Sequence, residues 1–174
     1  MEIKIVKVGY LKTNCYVLIK NNKCLIIDPG DEANKIEELI GNNKVVGIII
    51  THYHSDHIGA LNDLKEKYNA SVYDKSNLIE GINIVDEFTF EVLYTPGHRI
   101  DAITVIFKKY HIMFTGDFLF KESIGRTDLE TGNDSEMQES IDKIKTYSGI
   151  YKVFPGHGDS TTLQYEFNNN IFLR

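Results

Sequence analysis

Thr51-His52-Tyr53-His54-Ser55-Asp56-His57 places three imidazoles and a carboxylate within six positions, directly behind the apolar run Val45-Val46-Gly47-Ile48-Ile49-Ile50. The run is short and rich in β-branched residues, the pattern of a strand buried on both faces. Beyond the cluster, Ile58, Leu61, Leu64 and Tyr68 recur at helical spacing, which predicts a helix starting directly after His57. The cluster therefore occupies a strand-to-helix loop at the carboxyl end of a core strand. Imidazole and carboxylate groups lose water in such a loop, and a metal ion or tight pairing best offsets that cost. His52 and His54, one residue apart in extended chain, can point to one side, while Asp56 and His57 continue round the bend toward a second point. The bland alternative is a chance grouping of structural histidines, and the density of ligating groups argues against it.

Local sequence cannot complete two coordination spheres, so further ligands have to come from distant loops. Three candidates stand next to glycine behind expected strands: His98 in Thr95-Pro96-Gly97-His98, Asp117 in Thr115-Gly116-Asp117, and His157 in Pro155-Gly156-His157-Gly158. Glycine lets backbone pass close to a crowded site. Asp28, in Ile26-Ile27-Asp28-Pro29-Gly30, repeats the strand-then-turn pattern. Taken singly, His98 and His157 are ordinary hydrogen-bonded loop residues, and Asp117 and Asp28 are ordinary turn residues. His111 lies away from every motif and is read as a surface or packing residue.

The rest of the chain reads as alternating strands and amphipathic helices. Strands are expected at Glu2-Val8, Thr13-Lys20, Lys23-Asp28, Ser71-Tyr73, Phe88-Tyr94, Ala102-Phe107, His111-Thr115 and Val153-Phe154. Asp31 is the expected cap of a helix carrying Ile36, Leu39 and Ile40 on one face. A Ser135/Gln138 capping box opens a helix with Met137, Ile141 and Ile144 as its stripe. Thr161-Phe172 reads as a last helix. No repeat or Pro/Ser-rich linker marks a boundary, so residues 1–174 read as one domain. A turn at Asn21-Asn22 sets Cys24 opposite Ile19 rather than Cys15, which predicts two free thiols.

A formal charge of −6 disfavours nucleic acid as a partner. No apolar run approaches the roughly 20 residues needed to span a bilayer. Met1–Val8 alternates polar and apolar residues instead of forming the apolar core of a signal peptide, so a cytoplasmic location is expected.

With Asp28, the His-Xaa-His-Xaa-Asp-His stretch at 52–57, His98, Asp117 and His157 in this order, the chain resembles the metallo-β-lactamase superfamily, and within it the hydroxyacylglutathione hydrolase (glyoxalase II) branch in a short form. The resemblance implies an α/β fold, a four-layer αββα sandwich of two mixed sheets with outer helices and the site at one edge. It implies one metal on His52, His54 and His98, a second on Asp56, His57 and His157, and Asp117 bridging them. Two divalent ions are expected, zinc first, with iron or manganese accepted by the same nitrogen and oxygen ligands. Asp28 would support a ligand from behind. Arg126 resembles part of a loop in short family members and could grip a substrate carboxylate, or pair with Asp128. Tyr53 could line the pocket or brace the loop. Two departures are visible: His98 is followed by Arg99-Ile100-Asp101-Ala102 rather than the family's Thr-Pro-Gly-Ser, and the chain ends soon after His157, before the helical extension of full-length glyoxalase II.

The expected chemistry follows from the ions. A water shared by two divalent cations loses a proton near neutral pH and becomes the nucleophile, with Asp56 able to orient it. A thiolate leaves without much protonation, since its parent thiol has a pKa of about 8.5, which favours a small-molecule thioester over an amide. Competing readings are a persulfide dioxygenase with one iron, a lactonase or phosphodiesterase on the same site, and a metal-binding domain without turnover. The acyl group, the thiol and the oligomeric state are not legible from residues alone.

Overall fold

A computed structural model describes residues 1–174. The first five strands are β1 (Glu2–Val8), β2 (Thr13–Lys20), β3 (Lys23–Ile27), β4 (Lys44–Ile49) and β5 (Val72–Tyr73), and they form one sheet in that order. β1 to β3 are antiparallel, whereas β3, β4 and β5 run parallel. Parallel pairing requires crossovers, supplied by α1 (Ala33–Ile40) and by α2 (Ser55–Ile58) with α3 (Leu61–Tyr68).

The second half of the chain contributes β6 (Gly81–Val85), β7 (Phe88–Tyr94), β8 (Ile103–Phe107) and β9 (Ile112–Gly116), then a small hairpin of β10 (Leu119–Phe120) and β11 (Ser123–Ile124). α4 (Asp134–Lys145), β12 (Lys152–Pro155), β13 (Thr161–Thr162) and α5 (Leu163–Asn169) complete it. The second sheet has the order β13-β12-β9-β8-β7-β6, with β12 parallel to β9 and its other pairs antiparallel.

The period-2 alternation of strand side chains explains the layers. Tyr16, Leu18, Leu25, Ile27 and Ile49 of the first sheet meet Phe90, Val92, Val105, Phe107 and Phe114 of the second in the central core. Their neighbours Val17, Cys24, Ile26 and Ile48 point the other way, against Ile36 and Ile40 of α1 and Leu64 of α3. Ile106, Met113 and Val153 likewise face Met137, Ile141 and Ile144 of α4 and Leu163 of α5. The four-layer αββα sandwich expected from the resemblance is the fold.

Several local expectations change. Asp31 does not cap α1: Glu32 holds the cap position in the left-handed region, without a side-chain bond to the helix. The helix after the histidine cluster begins inside it, at Ser55, and a second helical segment starts at Leu61. Asn133 rather than Ser135 caps α4, accepting from the Glu136 N–H. An Asx side chain one position before the first helical residue reaches that N–H more directly than a serine already within the turn. At the C-terminus, Thr161 and Thr162 pair with β12 and α5 stops at Asn169, leaving Ile171 70% and Phe172 43% exposed. The short strands β6, β10, β11 and β13 were not anticipated. The Asn21-Asn22 turn has positive φ at both residues, as a two-residue hairpin of this hand needs, and it sets Cys24 opposite Ile19 as expected. Both cysteines are buried and free. No helix is long and apolar enough to cross a membrane.

Candidate metal centre

Topology, rather than local sequence, brings the candidate residues together. β3 and β4 run parallel, so Asp28 and the 52–57 loop leave the first sheet at the same end. In the second sheet β7, β9 and β12 share one direction, so His98, Asp117 and His157 all emerge at one edge. A backbone bond from Ile103 N–H to Thr51 O (2.9 Å) ties the two sheets together beside this edge. In layered α/β folds ligands bind in the crevice outside the carboxyl ends of such strands.

Four imidazoles are tied from behind through Nδ1, which leaves Nε2 facing inward. His57 Nδ1–H donates to Asp28 Oδ2 (2.9 Å), His98 to the carbonyl of Arg126 (2.7 Å), and His157 to that of Leu11 (3.1 Å). His52 Nδ1–H reaches Thr51 Oγ1 (3.2 Å), whose own hydroxyl donates to Asp28 Oδ2 (2.6 Å). Asp28 sits in the left-handed region (φ 52), and its Oδ1 also accepts from Thr51 N–H, so one buried carboxylate aligns two rings. His54 is reversed and presents Nδ1.

The inward atoms form two groups. His54 Nδ1 lies 3.1 Å from His52 Nε2 and 2.9 Å from His98 Nε2. Asp56 Oδ2 lies 3.1 Å from His157 Nε2 and 3.6 Å from His57 Nε2. Asp117 stands between them, with Oδ1 3.3 Å from His57 Nε2 and Oδ2 3.6 Å from His98 Nε2 and 3.5 Å from His157 Nε2. The combinations His52/His54/His98, His52/His57/Asp117 and Asp56/His57/His157 each bring their ligand atoms within 4.8 Å of one another.

These spacings suit cations. Four ligands at zinc–nitrogen bond lengths in a tetrahedron lie about 3.4 Å apart. His57 Nε2 and Asp117 Oδ1 are both buried and have no hydrogen-bond partner, although they stand 3.3 Å apart. A buried ring nitrogen facing a buried carboxylate oxygen without a hydrogen bond is costly unless something positive, a proton or a metal ion, lies between them. The donor set therefore fits divalent metal.

The electrostatics of the cluster's own side chains point the same way. Burial alone would lower the pKa of His57, yet the Asp28 and Asp117 carboxylates outweigh it and push it up to about 10. His157, also opposed by burial, is raised to about 9 by Asp117 and Asp56. Burial, reinforced by the neighbouring imidazoles, holds His52 well below the ordinary histidine value and lowers His54. Asp56 and Asp117 fall below the carboxylate range despite burial, because His157 and His57 face both. Protons on His57 and His157 thus balance the acids where metal would replace them.

The remaining candidates have other partners. The Arg126 guanidinium is held by Asp128 through two bonds of 2.6 and 2.7 Å, while its carbonyl orients His98. Tyr53 donates to Asp74 Oδ2 (2.6 Å) and packs on the outer core, so it braces the loop. Sequence reading missed Thr13, whose hydroxyl donates to Asp56 Oδ2 (2.9 Å), and the carbonyls of Leu11 and Arg126. It also missed Asn14, whose backbone N–H and side-chain Nδ2 donate to carbonyls of Gly156, Pro155 and Gly158 around His157. Carbonyls occur at every residue and carry no sequence signal. Asn14 could have been flagged as a polar residue inside an otherwise apolar strand.

An αββα sandwich with His/Asp clusters of this kind at one edge defines a class of metallo-hydrolases, and comparison with known proteins gives its family. Residues 8–78 and 74–157 match the family model described as the metallo-beta-lactamase superfamily. Among sequence relatives, a probable metallo-hydrolase, YqgX, of Bacillus subtilis and the hydroxyacylglutathione hydrolase GloC of Haemophilus influenzae are each 32% identical, over 99% of this chain and 98% of their own. Among solved structures, the BLEG-1 B3 metallo-beta-lactamase superposes with a TM-score of 0.92 at 30% identity over 99% of both chains. A protein solved in a di-iron-bound form gives 0.89 at 28% identity, over 98% of this chain and 100% of its own. The chain belongs to the metallo-beta-lactamase superfamily and is a hydrolytic enzyme.

Asp28→Asn tests the support behind the cluster. An amide cannot accept from Thr51 N–H, Thr51 Oγ1 and His57 Nδ1–H at once, so one ring loses its anchor. Metal affinity, read by competition with a chromophoric chelator, is expected to fall about 10- to 100-fold. Wild-type affinity in a folded variant would remove Asp28 from this role.

Proposed function

We propose that this enzyme is a binuclear metal-dependent thioesterase of the hydroxyacylglutathione hydrolase type. The observation that carries the reading is Asp117, one carboxylate whose Oδ2 lies within 3.6 Å of both groups of inward-facing ligands while its Oδ1 faces His57. His52, His54 and His98 would hold one cation, Asp56, His57 and His157 the other, with Asp117 shared. Two divalent ions so held supply Lewis acidity and lower the pKa of bound water toward neutrality. Zinc is the first expectation, and iron and manganese suit the same donors. The di-iron form of the structural relative supports keeping iron among them.

The chain's own groups do the rest. Asp56, with its side chain 23% exposed and one oxygen fixed by Thr13, is the carboxylate best placed to orient an entering water. The backbone bonds behind His98 and His157 keep those rings from swinging as charge builds on a substrate carbonyl. A leaving group that departs as a thiolate needs little protonation, so the reading asks for no acid beyond the cluster itself. The relative named hydroxyacylglutathione hydrolase supports the assignment of a small-molecule thioester as substrate.

Elemental analysis coupled to a substrate panel tests the reading. About two metals per chain and preferential turnover of a hydroxyacyl thioester are expected over a lactone, a β-lactam, a phosphodiester or a persulfide with oxygen. One iron per chain with oxygen uptake on the persulfide would establish the dioxygenase instead.

A further inference from the structure

Glu166 of α5 is fully buried and has no cationic partner anywhere in the chain. Its carboxylate is instead surrounded by donors: Glu122 N–H at 2.7 Å and Asn170 Nδ2 at 3.0 Å on Oε2, and the Thr161 hydroxyl at 2.5 Å on Oε1. Asn170, also fully buried, extends the network by donating to the Ser123 carbonyl at 3.1 Å. An uncompensated buried carboxylate is costly to keep, and its one bond outside the C-terminal segment, like that of its partner Asn170, goes to the turn of the β10–β11 hairpin.

That turn needs holding. Phe120 pairs with Ser123, so Lys121 and Glu122 alone close it, and Glu122 lies in the left-handed region (φ 61). A glutamate is uncommon in this conformation, and here the bond from its own N–H to Glu166 helps to hold it. The hairpin also sits between two parts of the metal centre. Asp117 precedes β10 by two residues, and Arg126, whose carbonyl orients His98, follows β11 by two. Gly125 returns so close that an added Cβ would lie 1.8 Å from the Asp117 carbonyl oxygen and 3.0 Å from His98 Cβ. The Phe120 ring faces His157 at 6.2 Å.

We infer that Glu166 is a positioning residue: its buried carboxylate clamps the β10–β11 turn and thereby sets, through one short hairpin, both the Asp117 carboxylate and the carbonyl that orients His98. The inference rests on the metal-centre reading but not on the thioester. Because Glu166 touches neither metal ligand, it acts on the chemistry only through the hairpin.

The test compares Glu166→Ala, Glu166→Gln and Tyr165→Phe in the full chain loaded with cobalt(II). Glutamine keeps an acceptor for the Glu122 N–H and can donate to Thr161, so it should restore the clamp. Tyr165→Phe removes only the outer contact from the Tyr165 hydroxyl to the Glu122 side chain. In Glu166→Ala, the visible cobalt bands should change in intensity and kcat should fall about 10- to 100-fold, with KM within about threefold of wild type. Glu166→Gln should recover to within about threefold, and Tyr165→Phe should match the parent. If Glu166→Ala does not fold, Asn170→Ala, which deletes the bond to Ser123, should show the same change in the bands. Wild-type bands and kcat in Glu166→Ala would overturn the proposal, even with a lowered Tm, because Glu166 would then serve stability alone. Equal damage from Tyr165→Phe would also overturn it. If the wild-type enzyme binds cobalt yet hydrolyses no thioester, the function assigned above fails while the cobalt bands still decide this inference.

Discussion

Asp117→Asn is expected to reduce bound metal from about two ions per chain to about one and to lower kcat/KM on a hydroxyacyl thioester by about a thousandfold or more. A thousandfold corresponds to about 4 kcal/mol of transition-state stabilisation. The argument is electrostatic. Asn keeps the volume of Asp but carries no charge, and the two groups of ligands would lose the one anion that faces both. His57 Nε2 and Asp117 Oδ1 have no hydrogen-bond partner within the protein, so little of the fold depends on them. The variant should therefore keep its far-UV circular dichroism while its metal content falls. Full metal content with full turnover would remove Asp117 from the centre, whereas one ion per chain in the fully active parent would remove the binuclear reading.

Gly156→Ala should be nearly as damaging, for a steric reason. An added Cβ at Gly156 would lie 2.2 Å from Asp117 Oδ1 and 2.7 Å from His57 Cε1. The His57 ring is fully buried and anchored to Asp28, so the carboxylate has to move. Overpacking of this kind costs about 1–3 kcal/mol in stability. Its larger consequence is the displacement of Asp117, for which a fall in activity of about a hundredfold or more is expected, since a misplacement of roughly 1 Å can cost that much. Thermal melts with and without added zinc give the check. The parent should gain Tm with zinc, because a ligand that binds only the folded state stabilises it, and the variant should gain little. An unchanged zinc-dependent shift would show that the cluster tolerates the methyl group.

Much of this site was legible in the sequence, and the legible part has a common character. His52, His54, Asp56 and His57 stand out because four groups able to ligate metal, in one loop behind an apolar strand, are hard to explain otherwise. His98, Asp117 and His157 could be named because each adjoins a glycine at the end of an expected strand, and their convergence agrees with that reading. What escaped was the set of bonds behind the ligands: Leu11 and Arg126 act through carbonyls, and Thr13 and Asn14 reach across from β2 to residues far away in the chain. Arg126 shows the difference plainly. Its side chain drew notice, yet its guanidinium is occupied by Asp128 and its backbone oxygen orients His98.

The fold divides in the same way. Hydrophobic periodicity sufficed for the long strands and for the buried stripes of α1, α3 and α4, because burying one face of an element is a local pattern repeated along the chain. Helix caps and short strands did not follow from it. Asn133 displaced Ser135 as a cap, and β10, β11 and β13 have too few residues to show any period, so their pairing depends on what packs against them. By itself, then, the sequence determined which side chains can ligate and which faces turn inward, since both are properties of residue type and spacing. Tertiary structure alone decided that strands from two sheets end at one edge and that distant carbonyls lock the rings. The same holds for a buried glutamate near the C-terminus coming to rest beneath the hairpin that leads from Asp117 to Arg126. Such relations join residues from 28 to 146 positions apart, and only the packing of the two sheets brings them within bonding distance.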